Sequence, residues 1–452
     1  MGVAFWQVPA VQTVLVVLLL LGAAEALMRL APPLRRIGIP ASIIGGTLGL
    51  LAGPDIAGWL PLDRSVLELG VYHGLAIVFI AIGLQSPKGG TAGPDARSMG
   101  FAIPTMVALQ TVIGLGFVLG VGLLATPTHP GLGLLLPLGF EQGPGQALSL
   151  GAAWEASGLT DGRQIGLIIA AVGFGWSILI GVPLVAWGRS RRLRSGEHGT
   201  ASEAPAPAPP APAGGLGPLS RQIAAIAAVY ALTYAVCAGL SAALAGMPDI
   251  AAMVWGFHFI FGAALALGAR RLLDRAPGAP ILHDATLAEV ASVTVDGITA
   301  GAIAAIEVAV LRANLVPIAV LTTLGGVATL IAAVWLAGRA FRSAPFEHCV
   351  LWFGMSTGTL PMGLALLRVL DPDLRSPAPM SAVLGSALSV PLVAPIVLGI
   401  HPLPIAGYPG SWPGAGWTAL ALSTAYLVIL LVAWWRLGGL RPVNPTRLWH
   451  IG

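Results

Sequence analysis

The sequence predicts an all-α integral membrane protein: two inverted-topology repeats of five transmembrane helices, each with one re-entrant loop, plus an extra C-terminal helix. Three observations predict it. First, 56% of the 452 residues are hydrophobic and 9% are charged, with a mean hydropathy of +0.85, far from the roughly 25% charged content of soluble domains. Second, apolar runs of the ~20 residues needed to cross ~30 Å of hydrocarbon recur along the chain. Third, two apolar segments, 132–157 and 346–369, are broken by glycine, proline and polar residues. At membrane depth such irregular backbone is tolerated only where protein buries it or water reaches it.

The elements follow in order. The first span, 8–28, runs into small residues that resemble a signal-peptide cleavage site, but it has no basic start, and Arg29, Arg35 and Arg36 follow it. That is the pattern of an uncleaved helix with its N-terminus outside. Spans at 38–54, 67–86 and 100–124 come next, then the broken segment 132–157 and a span at 162–188, so residues 1–188 form an N-terminal membrane half. Residues 189–220 are basic, then Ala/Pro-rich without an apolar period, and read as a cytoplasmic linker. The C-terminal half, 221–400, holds spans at 221–245, 249–268, 286–308 and 314–338, the broken segment 346–369, and a span at 379–400. Residues 401–452 add the extra helix, 416–436, and a cytoplasmic tail.

Charge placement fixes the orientation. With both broken segments read as re-entrant, all of the 23 lysines and arginines except Arg64, Arg163 and Arg312 fall on the cytoplasmic side. Making either segment a full span would swap every later loop and erase the bias. An odd number of full spans in the first half then starts the second half from the opposite face, which makes the halves inverted. In transporters of that plan, solute and ions bind near the midplane at discontinuous helices.

Other classes find no motif. The net charge of +4 comes from basic residues between apolar runs, where they orient the chain in the bilayer, so no nucleic-acid partner is expected. The single lysine, Lys88, precedes Gly89, so there is no Walker A loop. HExxH is absent, and Cys237 and Cys349 make no zinc or disulfide framework. Glu347, His348 and Cys349 lack a third orienting group for thiol chemistry. We expect no enzyme and no cofactor, with Na⁺ as a coupling ion.

The chemistry-bearing residues sit in the breaks. Gly143, Pro144 and Gly145 interrupt the first segment and free backbone groups. Glu141 adds a charge suited to a cation or a proton, and Gln142 and Gln146 donate and accept. The alternative is an ordinary turn outside the membrane. In the second segment Gly354, Gly358, Pro361 and Gly363 are breakers, and Ser356, Thr357 and Thr359 bring hydroxyls that can replace water around Na⁺; the alternative is that they bond their own helix. Asp296 lies near the centre of a span, where a charge needs an aqueous path or a partner. The candidate solute contacts are Gln142, Gly143, Gly145, Gln146, Ser356, Thr357, Gly358 and Thr359. The candidate ion-coupling residues are Glu141, Asp296, Gly354 and Ser356, with Na⁺ held by loop backbone through ligands the sequence does not single out. Gln110, Thr111, His73 and His258 read as polar contacts between helices.

Five stretches in order, "RRIGIPASIIGGTLGLL" (35–51), "LAIVFIAIGLQ" (75–85), "LQTVIGLG" (109–116), "QGPGQALSLGAAW" (142–154) and "HCVLWFGMSTGTLPMGLALL" (348–367), resemble the bacterial sodium/glutamate symporter family. The resemblance implies inverted five-helix halves, Na⁺-driven uptake of an acidic amino acid by alternating access, a homodimer and an inner-membrane location; the charge placement puts the C-terminus in the cytoplasm. It places the site at Gly143 to Ala147 and Gly354 to Pro361. Where the family's first loop usually reads Gly-Gly-His-Gly-Thr, this chain has Gln142-Gly143-Pro144-Gly145-Gln146 after Glu141. The added carboxylate would repel an anionic solute unless a cation or proton neutralises it. The expected function is therefore ion-coupled transport of glutamate or a related amino acid or carboxylate. Proton-coupled export of another amino acid and a passive channel are the alternatives, told apart by gradient-dependent flux.

Overall fold

The computed structural model describes residues 8–31, 38–86, 93–124, 128–193, 216–275, 282–372, 374–442 and 449. Among them there is no strand, and ten helices are long and apolar enough to cross a membrane, so the chain is an all-helical, multi-pass membrane protein. In order the helices are α1 (Pro9–Leu30), α2 (Ala41–Ala52), α3 (Arg64–Gly83), α4 (Pro94–Leu124), α5 (Pro130–Phe140), α6 (Pro144–Glu155), α7 (Gly162–Leu179), α8 (Gly181–Ser190) and α9 (Pro218–Ala243). They continue with α10 (Pro248–Gly256), α11 (His258–Leu273), α12 (Asp284–Ala304), α13 (Val308–Ala313), α14 (Leu315–Ala340), α15 (Pro345–Leu370), α16 (Ala378–Ala394) and α17 (Gly414–Arg436). Proline opens α1, α5, α6, α9, α10 and α15, where its missing N–H leaves no bond unmade. Asp63 caps α3, its carboxylate accepting from Ser65 N at 2.9 Å and Val66 N at 3.2 Å.

Two of the expected spans are not single membrane-length helices. The one at 38–54 is α2, whose 12 residues reach only about 18 Å. The one at 249–268 breaks at Phe257 into α10 and α11. The break persists because its freed carbonyls find partners: Trp255 O accepts from Tyr72 Oη at 2.8 Å, and Gly256 O accepts from Ser149 Oγ at 2.8 Å. The linker expected at 189–220 falls mostly outside the described residues, as do Arg35, Arg36, Lys88, Arg194 and Arg447.

Packing sorts the helices into two groups. In one, α3 packs against α12, α11 and α9, and α2 packs against α12 and α1. In the other, α4 packs against α5, α14, α16 and α17, while α15 packs against α7, α8, α14 and α16. Helix α6 touches both, lying on α5 and α7 and also on α3 and α10.

Both broken segments double back. Helices α5 and α6, of 11 and 12 residues, reach only about 17–18 Å each and run antiparallel, with His129 Nε2 3.2 Å from Ser157 O at their open end. Helix α15 loses helical geometry at Gly358 and Thr359. A Cβ built on Gly363 would lie 2.4 Å from Leu351 O, although in a straight helix those residues are about 18 Å apart. The chain therefore turns back at 358–359, and Gly354 and Gly363 let the two arms touch.

Candidate functional site at the two hairpin tips

The tips of the two hairpins meet. Gly143, which caps the start of α6, holds φ +88° and ψ 176°, and Thr359, which precedes the second arm of α15, holds φ +74° and ψ 167°. The two turns thus share one backbone conformation, with a proline in the first two residues that follow, Pro144 directly after Gly143 and Pro361 one residue further on from Thr359. A Cβ on Gly143 would lie 2.5 Å from Thr359 Cγ2. The positive ends of two helices, where N–H groups lack partners, are brought together at this point.

Around the tips the freed backbone is met by neighbouring helices. Ser356 O accepts from Gln110 Nε2 of α4 at 2.8 Å, and the same nitrogen donates to Thr329 Oγ1 of α14 at 3.0 Å. Ser177 of α7 sits 3.3 Å from Gly354 O and 2.6 Å from Thr357 Oγ1. Gly358 lies under Phe174 and Ser177, and Gly173 lies against Thr357 O. The Glu141 carboxyl is buried beside the Ser356 side chain. Glu141 Oε2, Ser356 Oγ and Gln110 Oε1 are all buried without a hydrogen-bond partner.

Most of the residues expected from sequence converge here. Glu141, Gly143, Gly145, Gln146, Gly354, Ser356, Thr357 and Gly358 are buried, and Gln142 and Thr359 are half-buried. Their roles differ from one another. Gly143 is the true break, whereas Gly145 and Gln146 belong to the first turn of α6, with Gly145 against Leu75 of α3. Thr357 donates to Phe353 O at 2.9 Å, so its hydroxyl serves the helix as well as Ser177. Gly354 is helical, its carbonyl engaged by Ser177. Asp296 is not brought to the tips: it lies on the exposed side of α12, beside Ser42 of α2, and α12 packs on α3 and α2.

The sequence did not single out Ser177 or Thr329, and it read Gln110 as a helix contact. The signal for Gln110 was an amide in an apolar span, and only the fold shows that the contact is with a hairpin tip. His401 was likewise missed; its Nε2 lies 3.0 Å from Thr111 Oγ1 and it is fully buried.

A second polar locus lies between the ends of α3, α6–α7 and α12–α13, where a cavity of about 500 Å³ is lined by Glu68, Glu155, Asp161, Arg163, Gln164 and Glu307. Gln164 Nε2 donates to Glu68 Oε1 at 2.5 Å and Ala305 O at 3.2 Å, and its Oε1 accepts from Glu307 N at 2.9 Å. Arg163 pairs with Glu155 at 2.6 Å and Glu68 at 3.4 Å. Among the described residues no group of three His, Cys, Asp or Glu is arranged to hold a metal ion. Compared with known proteins, the chain matches no protein-family model and no curated protein.

Proposed function

We propose that this chain is an ion-coupled secondary transporter of a small organic solute, working by alternating access, with the solute held between the hairpin tips. The observation that carries the reading is the meeting of two broken helical hairpins at Gly143 and Thr359, with unpaired polar atoms buried beside them. Helix breaks within the bilayer supply backbone donors and acceptors that no intact span offers. On this reading the hairpins are re-entrant and the halves inverted. The packing supports that. Exchanging α1, α2 and α3 for α9, α10–α11 and α12, and α4, α5–α6 and α7 for α14, α15 and α16, maps the α3–α11 contact onto α12–α2, α4–α5 onto α14–α15, and α4–α16 onto α14–α7, and all of these contacts occur.

The solute class follows from the tips and from the five stretches that resemble sodium/glutamate symporters. Two helix N-termini favour a carboxylate, and Gln142, Gln146 and Thr359 provide neutral donors and acceptors, which suits an amino acid or a related carboxylate. Na⁺ is the coupling ion in this reading. A second reading, export of another amino acid against protons, is favoured by Glu141, a buried carboxyl for which the described residues show no ion pair, since such a group is held by taking up a proton or a cation.

The test is uptake into liposomes reconstituted with the purified protein, using labelled glutamate, aspartate and other amino acids, with Na⁺ and pH gradients imposed separately. Na⁺-driven accumulation of an acidic amino acid is the expected result. Accumulation of a different solute under a pH gradient alone selects the second reading, and flux that neither saturates nor follows a gradient rejects transport.

A further inference from the structure

Helix α12 carries a polar face that its packing leaves uncovered. Glu289, Ser292 and Asp296 are all exposed, and their spacing of three and four residues puts them on one side of the helix. The other side, through Leu287, Ala291 and Ile298, is buried, and α12 packs on α3 and α2. Asp296 lies about 18 Å from the start of this membrane-length helix and about 12 Å from its end. Among the described residues neither Glu289 nor Asp296 has an ion pair, and Asp296 meets the Ser42 side chain of α2. A carboxylate turned toward hydrocarbon at mid-span is strongly disfavoured, so a face with two of them has to meet water. The fold does not demand the acids. Exchanging α12 for α3 aligns Asp296-Gly297-Ile298 with His73-Gly74-Leu75, and the exposed Ser292, Val293 and Asp296 with Leu69, Gly70 and His73, which are exposed too. Val66, Leu69 and His73 thus stand where α12 has Glu289, Ser292 and Asp296, and His73 is held by Tyr230.

The acidic face is tied to the second hairpin through α2. Gly38, just before α2, lies against Ala365 O and Val369 of the second arm of α15, and Ser42, four residues on, meets Asp296. The start of α2 therefore bridges from that arm to the acidic face, and Thr359 stands about 9 Å along the arm from Ala365. We propose that the Glu289, Ser292 and Asp296 face is one wall of a water-filled path from the cytoplasm to the second hairpin tip, running between α12 and the second arm of α15, and that its two carboxylates make the path favour cationic over anionic species. A cleft with low-dielectric walls and charge of one sign concentrates counter-ions in this way. The inference rests on the transporter reading and on the orientation set by Arg270, Arg271 and Arg275, the basic residues that precede α12.

The experiment uses the full-length chain with Cys237 and Cys349 replaced by serine, in sealed right-side-out and inside-out membrane vesicles. Ser292→Cys and Asp296→Cys are compared with Leu324→Cys, on the exposed apolar face of α14, by their rates of labelling with a membrane-impermeant thiosulfonate that bears a trimethylammonium group. Both are expected to react at least ten times faster than Leu324→Cys when the reagent is added on the cytoplasmic side, and not when it is added outside. In Ser292→Cys the cationic reagent is expected to outpace a sulfonate reagent of the same size at least threefold, relative to their rates with a small free thiol. Glu289→Gln combined with Asp296→Asn is expected to abolish that preference. Labelling by a lipid-soluble maleimide alone places the face in lipid and overturns the path. So does labelling from the outside alone, or a spontaneous disulfide between two chains, which places the face against a second copy. A charge preference that survives the removal of both carboxylates overturns their role. If Asp296→Cys does not fold, Ser292→Cys, which changes one atom, decides instead. Solute uptake separates the two claims: labelling from the cytoplasm without uptake of any solute removes the transporter and leaves the path, whereas uptake without labelling removes the path and leaves the transporter.

Discussion

Gly143 and Thr359 restrain each other, and each is restrained by its own backbone. Alanine at 143 would meet two separate costs: a φ of +88° that L-residues avoid, on the order of 1–2 kcal/mol, and a Cβ 2.5 Å from Thr359 Cγ2. Gly143→Ala should therefore lower the unfolding midpoint and cut uptake at least tenfold. Thr359→Ser deletes the colliding methyl but leaves the backbone unchanged, so the double variant should recover only the contact part. A double-mutant cycle on unfolding free energy is expected to give a coupling of about 1 kcal/mol; strict additivity would mean that the tips do not touch. At the start of α3, Asp63 is a simpler case. Hydrogen bonding to Ser65, then to Val66 N, holds its carboxyl below the ordinary carboxylate value. Its folded-state pKa is thus depressed, so the cap stabilises the fold above the unfolded pKa and that contribution is lost as pH falls through the folded value. Asp63→Ala should cost about 1 kcal/mol at neutral pH, and wild type and variant should converge in unfolding scans taken to low pH.

Helices in this protein approach through glycine, and the approach is selective. A Cβ on Gly114 of α4 would fall 2.0 Å from Gly133 O of α5, backbone against backbone, while Gly116, two residues on, faces open space. Gly114→Ala should destabilise the first hairpin by about 1–3 kcal/mol. Gly116→Ala should be neutral or gain up to ~1 kcal/mol from helix propensity. Thermal unfolding of the two variants checks both, and equal effects would deny the close contact. Such pairs were unreadable in the sequence, which shows many glycines and no sign of which ones face each other. The hairpins were legible because breakers inside apolar runs are a local signal: "EQGPGQ" and "STGTLP" broke where the sequence said they would, to within a few residues. The break at Phe257 was not legible, since the carbonyls it frees are satisfied by Tyr72 and Ser149, residues far away in sequence. Asp296 drew notice for its charge at mid-span, and nothing local revealed which face of α12 carries it.

Alternating access requires some contacts between parts of the molecule to exist in one state and not in the other, and the two packing groups suggest where those contacts lie. Helix α7 packs with α15 and the hairpins, yet Gln164 at its start is bound three times by the other group, through Glu68 of α3, Ala305 O and Glu307 N. Arg163 beside it reaches Glu68 as well. At roughly 0.5–1.5 kcal/mol for each hydrogen bond, this tether biases the joined arrangement by a few kcal/mol, enough to shift a two-state ratio ten- to a hundredfold. Gln164→Ala should therefore alter apparent solute affinity and turnover together while leaving the tips intact. A stronger check fixes the contact in place. With Cys237 and Cys349 replaced, cysteines at 68 and 164 joined by a short bifunctional thiol reagent should stop uptake, and reduction should restore it. Solute binding at the tips, measured by calorimetry on the cross-linked protein, should persist, because the tether lies away from Gly143 and Thr359. If the cross-linked protein transports at the uncross-linked rate, the groups do not separate at this contact, and any movement between them must take place with α7 and α3 still joined.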